Sequence, residues 1–515
     1  MNPTQHGEVF VTADGAETDL DIGHYERFLD TDMNRFSSFT SGKLYEELIA
    51  RERRGDFLGG TVQIVPHLTD LVKEKIRLGF DAAQADISII EIGGTVGDME
   101  NEYLLETARQ LRHELGETNV RFVHVALLPY LMASKELKSK PIQHSVRTLM
   151  SYGINPDFLI VRADTSIPED MMCKIASASG IPRAATISAP TLDSIYRVPL
   201  AFDGEKLGQK ILQKLDMPVV KPNMQKWVEL MDNIDGSLDV LSIGMVGKYV
   251  DLEDAYYSLN EWLKCAGFSL RKRIRIRFID AEEIEKTGTA ILDNLDGICI
   301  PGGFGTRGTE GMIETARYAR ENRIPYLGIC LGSQIMAIEY ARNVLGIADA
   351  SSEEFTPEWT HNIIQIMEHQ KWLQSKWANM RLGSYECIIR PGSLAERVYK
   401  SSLRKELSSE QRDWGLLSEK SDTPIPPTPL SQGGSETIVT ERHRHRFEFD
   451  PTYREAMETS GFIVSATSPD GSLAEIVELR DHPYMIATQA HPELISRPSR
   501  PHPLFMGLVR AMIAK

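Results

Sequence analysis

The stretch Leu327-Gly328-Ile329-Cys330-Leu331-Gly332-Ser333-Gln334 decides how the second half of the chain folds. The apolar run Ile324 to Ile329 reads as a buried strand. Gln334, Ile335, Met336, Ile338, Glu339 and Tyr340 read as the helix that follows. A strand that turns into a helix at a cysteine flanked by Gly328 and Gly332 has the form of a nucleophile elbow. Small neighbours permit the sharp turn and let a substrate come close. A helix N-terminus beneath a sulfur favours negative charge there.

A lone cysteine after an apolar strand is usually an inert core thiol, but three further features point to chemistry. Pro301-Gly302-Gly303-Phe304-Gly305 follows another apolar strand, Leu295 to Ile300, and its N–H groups suit half an oxyanion hole. His491 ends the strand Met485 to Gln489 and suits a general base. Glu493, two residues on, suits the role of orienting the imidazole. Together these make the C-terminal half resemble a class I glutamine amidotransferase, the triad glutaminase that frees ammonia from glutamine.

At 515 residues the chain has length for two or three domains, each able to bury a core. A formal net charge of −16 argues against general nucleic-acid binding and leaves nucleotides to local clusters of lysine, arginine and metal. Five cysteines, scattered at positions 173, 265, 299, 330 and 387, suggest neither a disulfide framework nor a zinc site. The N-terminus has no basic segment followed by an apolar one, and no stretch approaches a membrane span. The expected location is the cytoplasm, with no membrane and no nucleic-acid partner.

Apolar strands alternate with amphipathic helices through both halves, which predicts an α/β chain of two domains, each a mostly parallel sheet flanked by helices. Ile87 to Ile92 reads as a strand, Met99 to Leu115 as a helix, and Val120 to Leu128 and Phe158 to Val161 as strands. Met217-Pro218-Val219-Val220-Lys221-Pro222 reads as a connector before a helix around Trp227 to Met231. The predicted organisation is a first domain over 1–216, a linker over 217–238 and a second domain over 239–515. Ser401 to Ser435, charged and then rich in proline, serine and glycine, reads as a flexible surface insertion.

Three segments of the first half carry its chemistry. Gly15 to Gly23 reads as a loop dense in carboxylates. Glu91 ends its predicted strand beside Gly93-Gly94-Thr95-Val96-Gly97-Asp98, where a carboxylate suits Mg²⁺. Lys135 to Gln143 reads as a basic, loop-like segment suited to phosphate oxygens. Acidic loops and lysine runs are usually plain solvated surface, so each segment alone says little. Together with the stretch Asn2 to Phe28, PGGFGTRG at 301–308, GICLGSQ at 328–334 and ERHRHRFE at 441–448, they resemble CTP synthase across nearly the whole chain.

That resemblance implies a P-loop-NTPase-like synthetase domain fused to the glutaminase domain. It implies ATP-dependent amination of UTP to CTP with ammonia from glutamine, a homotetramer, CTP as feedback inhibitor and GTP as allosteric activator. By motif matching, Asp21 and Glu91 are the Mg²⁺ ligands, and Asp21 also contacts nucleotide. Asp98, Met99 and Glu100 match the stretch that binds the pyrimidine of CTP. Lys138, Ser139, Lys140, Pro141, Ile142, Gln143 and Lys174 match the UTP and CTP contacts. His6 and Val9 match positions near an ammonia passage. Cys330 is nucleophile, His491 base and Glu493 orienter. Gly303 and Leu331 form the oxyanion hole, and Gly332, Ser333, Gln334, Glu354 and Arg446 belong to the glutamine site.

Some positions depart from the family pattern. A Gly-rich phosphate loop with a lysine is expected ahead of the QHGEVF segment, and here Met1-Asn2-Pro3 stands there instead. The expectation is therefore an N-terminally truncated synthetase domain with impaired CTP formation. The alternatives are a glutaminase-only chain or a non-catalytic assembly subunit. Ile142 replaces an expected hydroxyl residue, and Ile187 to Leu192 lacks the lysine and aspartate often found there.

Overall fold

The computed structural model describes residues 7–250, 253–358, 360–366, 380–401 and 437–515. They form two compact units, one of residues 1–35 with 232–515 and one of residues 36–231. Residues 7–35 pack with the C-terminal half of the chain. The cause is burial. Phe10, Val11 and Ile22 share a core cluster with Leu494, and the Glu26 carboxylate is buried against Arg442 and Arg497.

The larger unit is built on a nine-stranded sheet. Its order runs Thr437–His445, Arg381–Ile389, Phe462–Thr467, Ala474–Leu479, Met485–Thr488, Tyr326–Ile329, Gly297–Ile300, Asp239–Gly247 and Lys272–Asp280. The last five strands are mutually parallel and the rest pair antiparallel. Gly297–Ile300, Tyr326–Ile329 and Met485–Thr488 are buried at every position, which explains sequences apolar throughout save for Thr488. The helices Thr309–Glu321 and Leu331–Asn343 pack on this sheet, joining Met312, Ala316, Ile335 and Ile338 to Ile298 and Tyr326 in one core.

Parallel register brings the chemistry together. Ile329 pairs with Thr488, so the strands that end at Cys330 and just before His491 stop side by side at one sheet edge. In open α/β sheets, ligands bind beyond the carboxyl ends of such strands.

Gly15 to Gly23, expected as an acidic loop, instead spans a short strand and the start of a helix. Phe10–Val11 pairs antiparallel with Glu17–Thr18, and a helix spans Leu20–Leu29. Asp19 caps it by accepting the Leu20 N–H, and Asp21 stands in its first turn.

The smaller unit holds a three-stranded parallel sheet, Val123–Leu127, Phe158–Ala163 and Thr186–Pro190. The helices Lys140–Ser151 and Glu169–Ser179 share its core through Ile142, Val146, Met172 and Ile175. The helices Ser41–Arg54, Thr69–Ala83 and Glu102–Leu115 belong to a second cluster around Leu44, Leu68 and Leu71. Two sequence expectations fail here. Ile87 to Ile92 forms no strand, and Ile89 is 89% exposed. A strand exists only through its ladder, and no described strand pairs with this run. Val123, Val125 and Leu127 accordingly stay exposed on one face of their own strand. Lys135 to Gln143 is also more ordered than a loop. Glu136–Leu137 pairs with Tyr130–Leu131, and the helix Lys140–Ser151 begins inside the basic run. The expected insertion at 401–435 lies, beyond Ser401, outside the described residues.

Gly332 marks where the elbow helix passes over the neighbouring strand. A Cβ there would lie 2.2 Å from the Ile300 carbonyl oxygen, a backbone atom with no room to yield. Gly332→Ala is expected to cost about 1–3 kcal/mol of stability, as overpacking does. A urea midpoint equal to that of the unmodified chain would contradict this contact.

Candidate active site

Cys330 sits between strand and helix with φ 51° and ψ −101°. A non-glycine residue held there costs on the order of 1–3 kcal/mol, so its surroundings must enforce it. Its N–H donates to Thr488 O at 2.8 Å, and its carbonyl accepts from Ser333 N at 3.0 Å and Gln334 N at 3.3 Å. Gly328 makes room: a Cβ on it would lie 2.5 Å from Gly332 O. The sulfur lies 3.7 Å from Gln489 Nε2 and 3.9 Å from Arg444 O.

His491 is held by two contacts, and its turn by a third. Its N–H donates to Arg442 O at 2.7 Å, and its Nδ1 lies 2.6 Å from Glu493 Oε1. The carbonyl of Glu493 accepts from Trp262 Nε1 at 2.6 Å, which anchors the turn. Imidazole and cysteine meet over Gly302, where a Cβ would lie 2.9 Å from His491 Cε1 and 3.5 Å from Cys330 Cβ. Only glycine fits between them. Burial pulls the imidazole toward its neutral form, but the Glu493 carboxylate and the nearby Cys330 sulfur outweigh it and push its pKa up to about 10. At neutral pH the ring is an acid held beside the sulfur, which suits protonation of a leaving amine.

The remaining residues expected on this side gather around the same edge. Leu331 opens the helix Leu331–Asn343, so its N–H has no carbonyl a turn earlier in that helix. The Leu331 side chain lies 3.2 Å from where a Cβ of Gly303 would stand. Glu354 Oε1 accepts from Gly305 N at 2.8 Å; burial raises its carboxyl pKa, with Lys248 and Arg446 opposing. Gln334 is buried, with Nε2 3.4 Å from Gln489 Oε1, and Ser333 is buried beside it. One cavity is lined by Cys330, His491 and Glu493 together with Glu8 and Val9 of the N-terminal segment and Phe304. His6 lies outside the described residues.

Sequence reading missed several participants. Gln489 contacts both the sulfur and Gln334. Lys248 Nζ donates to the carbonyls of Phe304 and Gly305, bracing the glycine loop, and burial lowers its pKa to about 8. Arg442 and Arg444 alternate along Thr437–His445, a period-two signal that was available in the sequence. Its histidines are a buried pair, His443 Nδ1 2.9 Å from His445 Nε2.

On the nucleotide side, Asp98 Oδ2 accepts from Thr95 N at 3.0 Å and precedes the short turn Met99–Asn101. Met99 is 83% exposed, and Glu100 is exposed beside it. Ser139 precedes the helix Lys140–Ser151 and accepts from Gln143 Nε2 at 3.2 Å, while Lys140 Nζ donates to Gln143 Oε1 at 3.3 Å. Pro141 lies in the first turn of that helix. Ile142 points into the core, fully buried, which leaves its side chain no nucleotide contact. Lys138 pairs with Glu136, whose carboxyl pKa it lowers with help from Lys174. Asp21 belongs to the larger unit and Glu91 to the smaller, and both are exposed. No cluster of three or more metal-binding side chains occurs among the described residues.

Residues 1–217 match the family described as CTP synthase N-terminus, and residues 251–511 match glutamine amidotransferase class-I. The order of these two matches defines a synthetase domain joined to a triad-type glutaminase. The CTP synthase of Halalkalibacterium halodurans is 44% identical over 516 residues, covering 100% of this chain and 90% of the relative. That of Dehalococcoides mccartyi is 45% identical over 512 residues, covering 99% and 88%. The solved glutaminase domain of Trypanosoma brucei CTPS with bound acivicin is 35% identical, covering 53% of this chain and 94% of that one, with a TM-score of 0.44. The chain belongs to the CTP synthase family and is a glutamine-hydrolysing carbon–nitrogen ligase.

The raised pKa of His491 sets a pH window. A folded value of about 10 against the usual 6.5 keeps the imidazolium present at neutral pH and lost only as pH rises through about 10. Glutamine hydrolysis is expected to fall on an alkaline limb near that value. In Glu493→Gln, burial acts with less opposition and the limb moves to lower pH. A limb at the same pH in both proteins would refute the assignment.

Proposed function

We propose that this chain converts UTP to CTP, with ATP as phosphoryl donor and glutamine as nitrogen donor. Full-length relatives in the CTP synthase family carry the overall reaction. The observation that carries the residue assignment is the meeting of Cys330 and His491 over Gly302. Because relatives match over the whole chain, the glutaminase-only and assembly-subunit alternatives are not favoured.

Cys330 Sγ attacks the amide carbon of glutamine, and the oxyanion is met by N–H groups of Gly303 and Leu331. His491 gives its proton to the departing nitrogen, releasing ammonia and leaving a thioester. Neutral His491 then takes a proton from water, which cleaves the thioester to glutamate and restores the sulfur. Glu493 holds the ring through both steps. Gln334, Glu354 and Arg446, with the backbone around Gly332 and Ser333, hold the substrate. The cavity bounded by Glu8 and Val9 is the exit for ammonia.

In the synthetase half, the γ-phosphoryl of ATP passes to the uracil 4-oxygen and ammonia displaces it as phosphate. Lys138, Ser139, Lys140, Pro141, Gln143 and Lys174 contact UTP, and Asp98, Met99 and Glu100 contact CTP as inhibitor. Asp21 and Glu91 are oxygen donors of the kind Mg²⁺ takes, and a bound Mg²⁺ would neutralise phosphate charge in transfer. The reading extends to GTP as activator, a homotetramer, and the cytoplasm as location; no helix among the described residues is long and apolar enough to cross a membrane.

Cys330→Ala is expected to abolish glutamine-dependent CTP formation while sparing formation from added ammonium. Measuring both rates on the same preparation decides the matter, since equal loss would make the cysteine structural.

A further inference from the structure

Arg442 is fully buried, and so is its partner Glu26, with side chains 0% and 1% exposed. Its Nη1 lies 3.1 Å from Leu494 O and 3.1 Å from Val11 O, and 3.2 and 3.1 Å from the two Glu26 oxygens. Its own carbonyl accepts the His491 N–H at 2.7 Å. One residue therefore grips the catalytic turn at both ends, by its backbone at His491 and by its guanidinium at Leu494.

The charge of that guanidinium is met from the N-terminal segment. Arg497 Nη2 also donates to Glu26 Oε2 at 2.8 Å and to Asp32 Oδ1 at 2.6 Å. Arg442 Nη2 stands 3.4 Å from Asp32 Oδ1, so two arginines face two carboxylates. A buried charge whose partner is lost relaxes by moving or by admitting water. Either would release Leu494, which lies one residue beyond Glu493. Glu26 and Asp21 also share the helix Leu20–Leu29.

We propose that Arg442 is a positioning residue for glutamine hydrolysis, holding the His491–Glu493 turn against Cys330, and that Glu26 of the N-terminal segment keeps it in place. The inference rests on the glutaminase reading above. It makes residues 7–35 a working part of that site, and it ties the helix of the proposed metal ligand Asp21 to the catalytic base.

The test uses the full chain and glutamine hydrolysis. Cys330→Ala comes first: hydrolysis that survives it fails the glutaminase reading itself, separately from this inference. Arg442→Lys keeps a buried cation beside Glu26 but removes the guanidinium Nη1 that reaches Leu494 O. Glu26→Gln keeps the shape and removes the anchoring charge. Each is expected to lower kcat at least tenfold while KM for glutamine stays within twofold and the melting temperature stays near that of the unmodified chain. A kcat within twofold of normal in either folded variant overturns the proposal, as does a KM that rises in step with the loss of kcat. If neither single variant folds, Glu26→Gln combined with Arg442→Met removes both buried charges while still freeing Leu494. Normal kcat in that protein overturns the proposal, and a tenfold loss at unchanged KM supports it.

Discussion

The chemistry of the larger unit depends on one register, the pairing of Ile329 with Thr488 in two adjacent parallel strands. Side-chain direction alternates along a strand, so a slip of one residue would turn Cys330 from the site to the opposite face. The hydrogen bond from Cys330 N to Thr488 O fastens that register at its last rung. Everything downstream is local: three residues past Thr488 the chain delivers His491, and two further residues deliver Glu493.

The strain at Cys330 is tolerated because its neighbours leave no alternative. Gly328 and Gly332 lie so close to backbone that neither accepts a methyl group, and Gly302 keeps the same closeness to the imidazole. The elbow helix itself is buried on nearly all sides. A stiff core therefore holds an unfavourable backbone conformation at Cys330, between strand and helix.

The second organising feature is electrostatic. Arg442 and Arg444 leave Thr437–His445 on the face that meets residues 7–35, where Glu26 and Glu17 receive them. Arg27 from the same helix lies over Trp262, whose indole N–H holds Glu493 O. The His491–Glu493 turn is thus braced by a segment more than 400 positions away, and residues 7–35 accordingly share its compact unit.

Much of this was legible in the sequence. The elbow, its glycines, the PGGFG loop and the His-Pro-Glu triplet are local patterns whose chemistry follows from residue type and spacing. The unbroken apolar runs marked buried parallel strands for the same reason. Ile87 to Ile92 misled because apolar content records a wish for burial, whereas a strand also needs a partner that no local pattern names. Gln489 and Lys248 were hidden because their meaning lies in what they touch across the fold; the alternation of Arg442 and Arg444 was visible, but not the carboxylates that receive them. Sequence alone determined which groups are able to react; tertiary structure decided which of them meet, because strand register, burial and the pairing of distant charges are properties of the packed chain.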